Sequence, residues 1–219
     1  MNIVPAILVS TYPELQKQLK KTKPFFEYVQ LDIMDGQFVS NRSFNYNDNR
    51  DLAEFFNRPD IVEQKYELHL MVRDPLAQIK KWQNVKGVFR VIFHLESDCA
   101  PLEVIDAIKK NNWQAGLALN PDTELQAVLP FNSQINQVLF MTVYPGQQGS
   151  KFLPKMENKI TKFSAVPNHP TIAIDGGINL KTIKQVAGWG VEIFNVGSAL
   201  MKADDINLAR EQLLNQITN

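Results

Sequence analysis

The sequence holds one cysteine, Cys99, in 219 residues, which excludes an internal disulfide framework and a cysteine-built zinc cluster. It also lacks an excess of either charge, with 23 basic residues against 23 acidic ones. No broad basic field is therefore available to grip nucleic acid by its phosphates. The densest basic run, Lys17, Lys20, Lys21 and Lys23, is interleaved with apolar residues and reads as the solvated face of a helix. Apolar runs stay far short of a bilayer span. The opening Met1-Asn2-Ile3-Val4-Pro5 has neither the basic nor the apolar region of a signal peptide. Low-complexity stretches and internal linkers are absent too. What these absences leave is a soluble protein of a reducing cytoplasm, with no nucleic-acid or membrane partner. The length suits one domain over residues 1–219.

What is present is a recurring alternation. Runs rich in β-branched and aliphatic residues predict strands over 3–9, 27–34, 65–72, 88–96, 114–120, 137–143, 171–177 and 193–199. Successive starts lie 22 to 38 residues apart, room for a strand, a helix and two short loops. Helix signals fill the gaps. Pro13, Pro75 and Pro101 each stand near a first turn, and Asn179 can cap a helix that ends at Gly188-Trp189-Gly190. Eight β/α units in one chain predict an α/β fold, a single (β/α)8 TIM barrel. An open doubly wound sheet is the alternative, but no G-x-G-x-x-G follows the first strand. The longest connection, 36–64, carries the polar run Asn41 to Arg50, which reads as an ordered loop over the barrel mouth.

Barrel strands are filled inside by bulky aliphatic residues, and an unpaired polar group there is costly. Several strands nevertheless carry polar residues near their C-terminal ends, where barrel active sites lie. Gln30 and Asp32 share a face of the second strand, with Asp35 in the following turn. Glu67, His69 and Met71 share a face of the third. The fourth ends His94-Leu95-Glu96, which reads as a satisfied structural pair, and His169 falls at the opposite barrel end. Asp32, His69 and Asp175 converge from strands two, three and seven on one mouth, a donor set for a divalent metal.

Glycines follow strands six, seven and eight, in Tyr144-Pro145-Gly146-Gln147-Gln148-Gly149, Asp175-Gly176-Gly177 and Val196-Gly197-Ser198. Glycine lets backbone N–H groups approach an anion closely, and the last two loops are the usual phosphate site of barrel enzymes. No strand-end lysine is placed to form a Schiff base.

Along nearly the whole chain these stretches resemble the ribulose-phosphate 3-epimerase family. The resemblance runs through Pro5-Ala6-Ile7-Leu8, Leu31-Asp32-Ile33-Met34-Asp35-Gly36, His69-Leu70-Met71-Val72 and Phe93-His94-Leu95-Glu96. It continues through Gly116 to Pro121, Met141 to Gly146, Ile174 to Ile178 and Val196 to Ala199. It implies a barrel of the ribulose-phosphate-binding type that interconverts D-ribulose 5-phosphate and D-xylulose 5-phosphate. Asp32 and Asp175 would exchange a proton at C3 from two faces, through a metal-stabilised enediolate. It further implies one divalent ion (Zn, Fe, Mn or Co) on Asp32, His69 and Asp175, and methionines Met34, Met71 and Met141 around the intermediate. Backbone amides of Gly146, Gln147, Gln148, Gly149, Gly176, Gly177, Gly197 and Ser198 would hold the phosphate. A homo-oligomer is an expectation of the resemblance alone.

Three positions depart from the family pattern. Gln30 stands where a fourth metal-ligating histidine is usual, and a glutamine oxygen suits harder cations better than zinc. Ala6 stands where the first-strand motif has a substrate-contacting serine, and the sixth loop has lost a glycine. An epimerase of another ketose phosphate and a non-catalytic sugar-phosphate binder therefore stay open as alternatives. The related phosphosugar decarboxylases use D-x-K-x-x-D on a strand; here Asp32 is followed by Ile33, Met34 and Asp35 with no lysine.

Overall fold

The computed structural model describes the whole chain except residues 49, 62–63, 147–150 and 219. Eight parallel strands close on themselves in sequence order, β1 next to β2 and so round to β8, which pairs with β1. They are β1 (Asn2–Ile7), β2 (Tyr28–Met34), β3 (Lys65–Met71) and β4 (Val88–His94), then β5 (Gln114–Leu119), β6 (Gln137–Met141), β7 (Thr171–Asp175) and β8 (Ile193–Val196).

Helices cover the outside. α1 (Tyr12–Thr22) follows β1, and its Thr11 cap accepts the Glu14 N–H. α2 (Phe44–Asn47) and α3 (Leu52–Phe56) lie between β2 and β3. Asp74 caps α4 (Pro75–Trp82), and Pro101 opens α5 (Pro101–Lys110). α6 (Glu157–Ser164), α7 (Thr182–Val186), α8 (Ser198–Met201) and α9 (Ile206–Thr218) complete the order. Between β5 and β6 the helical layer is reduced to two 3-10 turns, Leu125–Ala127 and Leu129–Phe131. Asn179 Oδ1 accepts the Lys181 and Thr182 N–H groups ahead of α7, and the chain leaves that unit through left-handed Gly190. No helix among the described residues is long and apolar enough to cross a membrane.

Two apolar layers follow from the period-two alternation of the strands. Outward residues such as Leu31, Leu68, Phe93, Leu117, Phe140, Ile172 and Phe194 pack under the helices. Inward residues Val4, Ile92, Ala118, Leu139, Ala173 and Ile193 fill the barrel. At the N-terminal end the filling turns ionic. Glu67 Oε2 lies 2.7 Å from Arg90 Nη1, and Arg90 also donates to Gln114 and Gln137. Glu67 thus closes the barrel bottom, one level below His69.

Several boundaries differ from the sequence expectation. β4 ends at His94, β7 at Asp175 and β8 at Val196, each two or three residues early, because the glycine and polar residues beyond them turn into loops. Of the run from Asn41 to Arg50, the helical part lies aside from the mouth. Its α2 packs Phe44 on Tyr12 and Trp82 outside the barrel. At the mouth stand Phe38, just before the run, against the His94 ring, and the run's first residue, Asn41, which donates to the Gly146 carbonyl. Lys21, expected on a solvated face, ties α1 to the carbonyls of Met201 and Ala203.

Candidate active site at the barrel mouth

Strand register assembles the site. Asp32 is level with His69, Met34 with Met71, Met141 with Asp175, and Asp175 with Asn195. Residues that share a level and an inward face must meet, so β2, β3, β7 and β8 deliver one polar cluster to the C-terminal end. His69 Nδ1 lies 3.1 Å from Asp32 Oδ1 and 3.5 Å from Asp175 Oδ2. Donor atoms of Asp32, His69 and Asp175 all fall within 4.8 Å of one another, and all three residues are buried. Two carboxylates and an imidazole at this spacing form a donor set suited to a divalent cation.

Electrostatics tie the three together. Burial and the charge of Asp175 push the Asp32 carboxyl above its ordinary range, against hydrogen bonds from His69 and Gln30. Burial alone would lower His69, but its hydrogen bonds to Asp175 and Asp32 and their charges raise it to about 9. The cluster is acceptor-rich and holds its protons firmly until a cation competes for them.

Gln30, expected as a doubtful metal ligand, turns its nitrogen rather than its oxygen to the carboxylates. Nε2 donates to Asp32 Oδ1 at 2.9 Å and to Asp175 Oδ2 at 2.6 Å. Its Oε1 accepts from Asn195 Nδ2 at 2.7 Å. Asn195 was not among the sequence candidates; the available signal was a polar residue at an inward position of an apolar strand. In this arrangement Gln30 joins the two carboxylates as a hydrogen-bond donor.

A cleft open to solvent lies above the cluster. Ala6, Asp32, Met34, His69, Met71, Met141, Gly146, Asp175, Gly176, Gly177, Gly197 and Ser198 all line it. Leu8, Val143, Pro145 and Ile178 line it as well and were not predicted. Gln147, Gln148 and Gly149 lie outside the described residues. The seventh loop shows why glycine is required there. Gly176 has φ +115, and a Cβ on it would stand 2.4 Å from Val143 Cγ2. Thr142 Oγ1 fixes that turn by donating to the carbonyls of Asp175 and Gly176. Asp35 only organises its loop: it accepts the N–H groups of Gln37, Phe38 and Arg73. His169 stands apart, bonded to the Pro170 carbonyl and packed on Phe163.

Fold and site together define a parallel (β/α)8 barrel with a buried Asp–His–Asp cluster under glycine-rich loops. Comparison with known proteins narrows this class. The sequence model of the ribulose-phosphate 3 epimerase family matches residues 2–201, and the chain belongs to that family. A ribulose-phosphate 3-epimerase of Methanocaldococcus jannaschii is 30% identical over 218 residues, covering 97% of this chain and 89% of the relative. One from Schizosaccharomyces pombe is 28% identical, covering 92% and 87%. Among solved structures, a 3-hexulose-6-phosphate synthase superposes with a TM-score of 0.69 at 14% identity, covering 99% of this chain and 100% of its own. A 3-keto-L-gulonate-6-phosphate decarboxylase from Vibrio cholerae gives 0.70 at 12% identity, covering 99% and 96%. At such identities these two attest the barrel alone.

Proposed function

We propose that the protein interconverts D-ribulose 5-phosphate and D-xylulose 5-phosphate by proton transfer at C3 between Asp32 and Asp175. The observation that carries this reading is the pair of buried carboxylates, joined by Gln30 and His69, at the floor of a cleft walled by glycines of three loops. Inverting a carbon through a proton exchange needs one group to take the proton and a second to deliver one to the other face. Asp32 from β2 and Asp175 from β7 supply these two groups, with their roles exchanged in the reverse direction.

The other side chains shape the environment. Asp32 is shifted towards holding its proton, which brings it nearer the range useful for acid–base work. Met34, Met71 and Met141 give the reacting carbon an apolar, polarisable surround that limits water. Backbone N–H groups of Gly146, Gly176, Gly177, Gly197 and Ser198 form the phosphate end of the cleft. Asp32, His69 and Asp175 would hold one divalent cation, with Zn, Fe, Mn and Co as candidates. Bound there, such an ion supplies the positive charge that stabilises an enediolate and makes a weakly acidic C–H labile.

Proton NMR of D-ribulose 5-phosphate in D₂O, with Zn²⁺, Mn²⁺ or Fe²⁺ added in turn, tests this reading. The expected result is deuterium at C3 together with the appearance of D-xylulose 5-phosphate. Absence of C3 exchange under every metal, with the sugar phosphate still bound, overturns it in favour of another ketose phosphate or a binding role.

A further inference from the structure

His94 and Glu96 have no part in the reaction proposed above, yet they join its central imidazole. His94 is fully buried at the end of β4, and its Nε2 lies 3.0 Å from His69 Nε2. The ring planes are 24° apart with centroids at 5.1 Å. With the two nitrogens that close, the rings meet end to end in nearly one plane, as an N–H···N hydrogen bond requires. One proton must lie between the nitrogens.

Which ring donates follows from the far end of the chain. Glu96 Oε1 accepts the Asn120 N–H at 2.9 Å and also the Thr123 hydroxyl. Its Oε2 lies 3.2 Å from His94 Nδ1. Burial acts to raise Glu96, but hydrogen bonds from His94, Thr123 and Asn120 outweigh it and keep the carboxyl below its ordinary range. An ionised carboxylate only accepts, so His94 carries its proton on Nδ1. Fully buried and facing a single carboxylate, His94 is a neutral imidazole with one N–H. His94 Nε2 is thus a lone pair, and His69 Nε2–H is the donor. His69 Nδ1 is left facing Asp32 and Asp175.

We propose that His94, oriented by Glu96, is a positioning residue that fixes His69 as its Nε2–H tautomer and so reserves Nδ1 as the cation ligand. The inference rests on reading Asp32, His69 and Asp175 as a metal centre and is independent of which sugar phosphate reacts. Outer partners of metal-ligating histidines act in this way, and their loss commonly weakens metal affinity by roughly 10–100-fold.

The test combines Zn²⁺ titration with ¹⁵N-histidine NMR of the Zn²⁺-loaded protein. In the wild type, His69 should show its proton on Nε2 and Zn²⁺ on Nδ1. His94→Phe should weaken Zn²⁺ binding by roughly 10–100-fold. His94→Gln, whose oxygen can accept the same proton, should recover much of the loss. Glu96→Ala, at a partly exposed position, provides a second route should His94→Phe fail to fold. It should weaken Zn²⁺ binding several-fold and yield a mixture of His69 tautomers. A side chain that merely packs would change stability but neither readout. Wild-type Zn²⁺ affinity and an unchanged His69 tautomer in these variants overturn the proposal. No Zn²⁺ binding by the wild type overturns the metal reading beneath it, whereas tight Zn²⁺ binding without C3 exchange overturns only the proposed reaction.

Discussion

Gln30 on the second strand and Asp175 on the seventh meet at 2.6 Å, 145 residues apart in sequence. The contact is directional, because Asn195 holds the Gln30 oxygen and leaves its NH₂ for the carboxylates. Two predictions follow from it. Gln30→His should tighten Zn²⁺ binding at least several-fold in a metal titration, since a nitrogen ligand replaces a donor N–H beside the same carboxylates; unchanged affinity would place residue 30 outside the metal's reach. Gln30→Leu removes three buried hydrogen bonds and should lower unfolding stability by roughly 1–3 kcal/mol in urea.

Asp32→Asn and Asp175→Asn should each reduce epimerisation by roughly 10²–10⁴-fold, the usual range for a positioned acid or base. Mass spectrometry of C3 deuterium, from both sugar phosphates, reads each half of the transfer separately. Each variant should retain exchange from one epimer better than from the other. Equal, near-wild-type turnover in both variants would remove the carboxylates from the chemistry.

Gly176→Ala tests the loop proposed to hold the phosphate. Its φ of +115 and the approach of Val143 Cγ2 to 2.4 Å of an added Cβ leave no unstrained place for a methyl group. The substitution should cost about 1–3 kcal/mol in thermal or urea unfolding, and should raise KM for the sugar phosphate. Unchanged stability would show that the loop relaxes freely.

Cation affinity should rise with pH. His69 is held protonated to about 9, above the ordinary imidazole value, by Asp175 and Asp32. A ligating Nδ1 must shed its proton, so the metal competes with it below that value and binds better as pH climbs towards it. Calorimetry of Mn²⁺ binding at pH 7 in buffers of different ionisation enthalpy should detect a released proton. In the absence of metal the sign for stability is opposite. The raised His69 stabilises the fold fully below its unfolded-state pKa, and that contribution declines as pH rises through about 9.

Much of the architecture was legible because the barrel writes itself locally. Runs such as Val88–His94 and Gln114–Leu119 are too apolar for an exposed strand, and proline-led starts such as Asp74-Pro75 mark the helices between them. Asp32, His69 and Asp175 stood out because a polar residue at an inward strand end is costly without a purpose. The small elements were less visible. Short α2 and α3, and the 3-10 turns around Pro130, are held by packing rather than by a sustained period.

The linear order of residues by itself determined eight strands, their inward faces and the three residues that converge on the mouth, since period-two alternation is a property of adjacent positions. Tertiary structure alone decided which polar atoms face one another. Gln30 presents nitrogen rather than oxygen because Asn195, on a strand far along the chain, occupies the other end of the amide. His94 is joined to His69 rather than only to Glu96 because β3 and β4 lie side by side. Hydrogen-bond direction depends on the partner at the far end of each group, and only barrel closure brings those partners within about 3 Å.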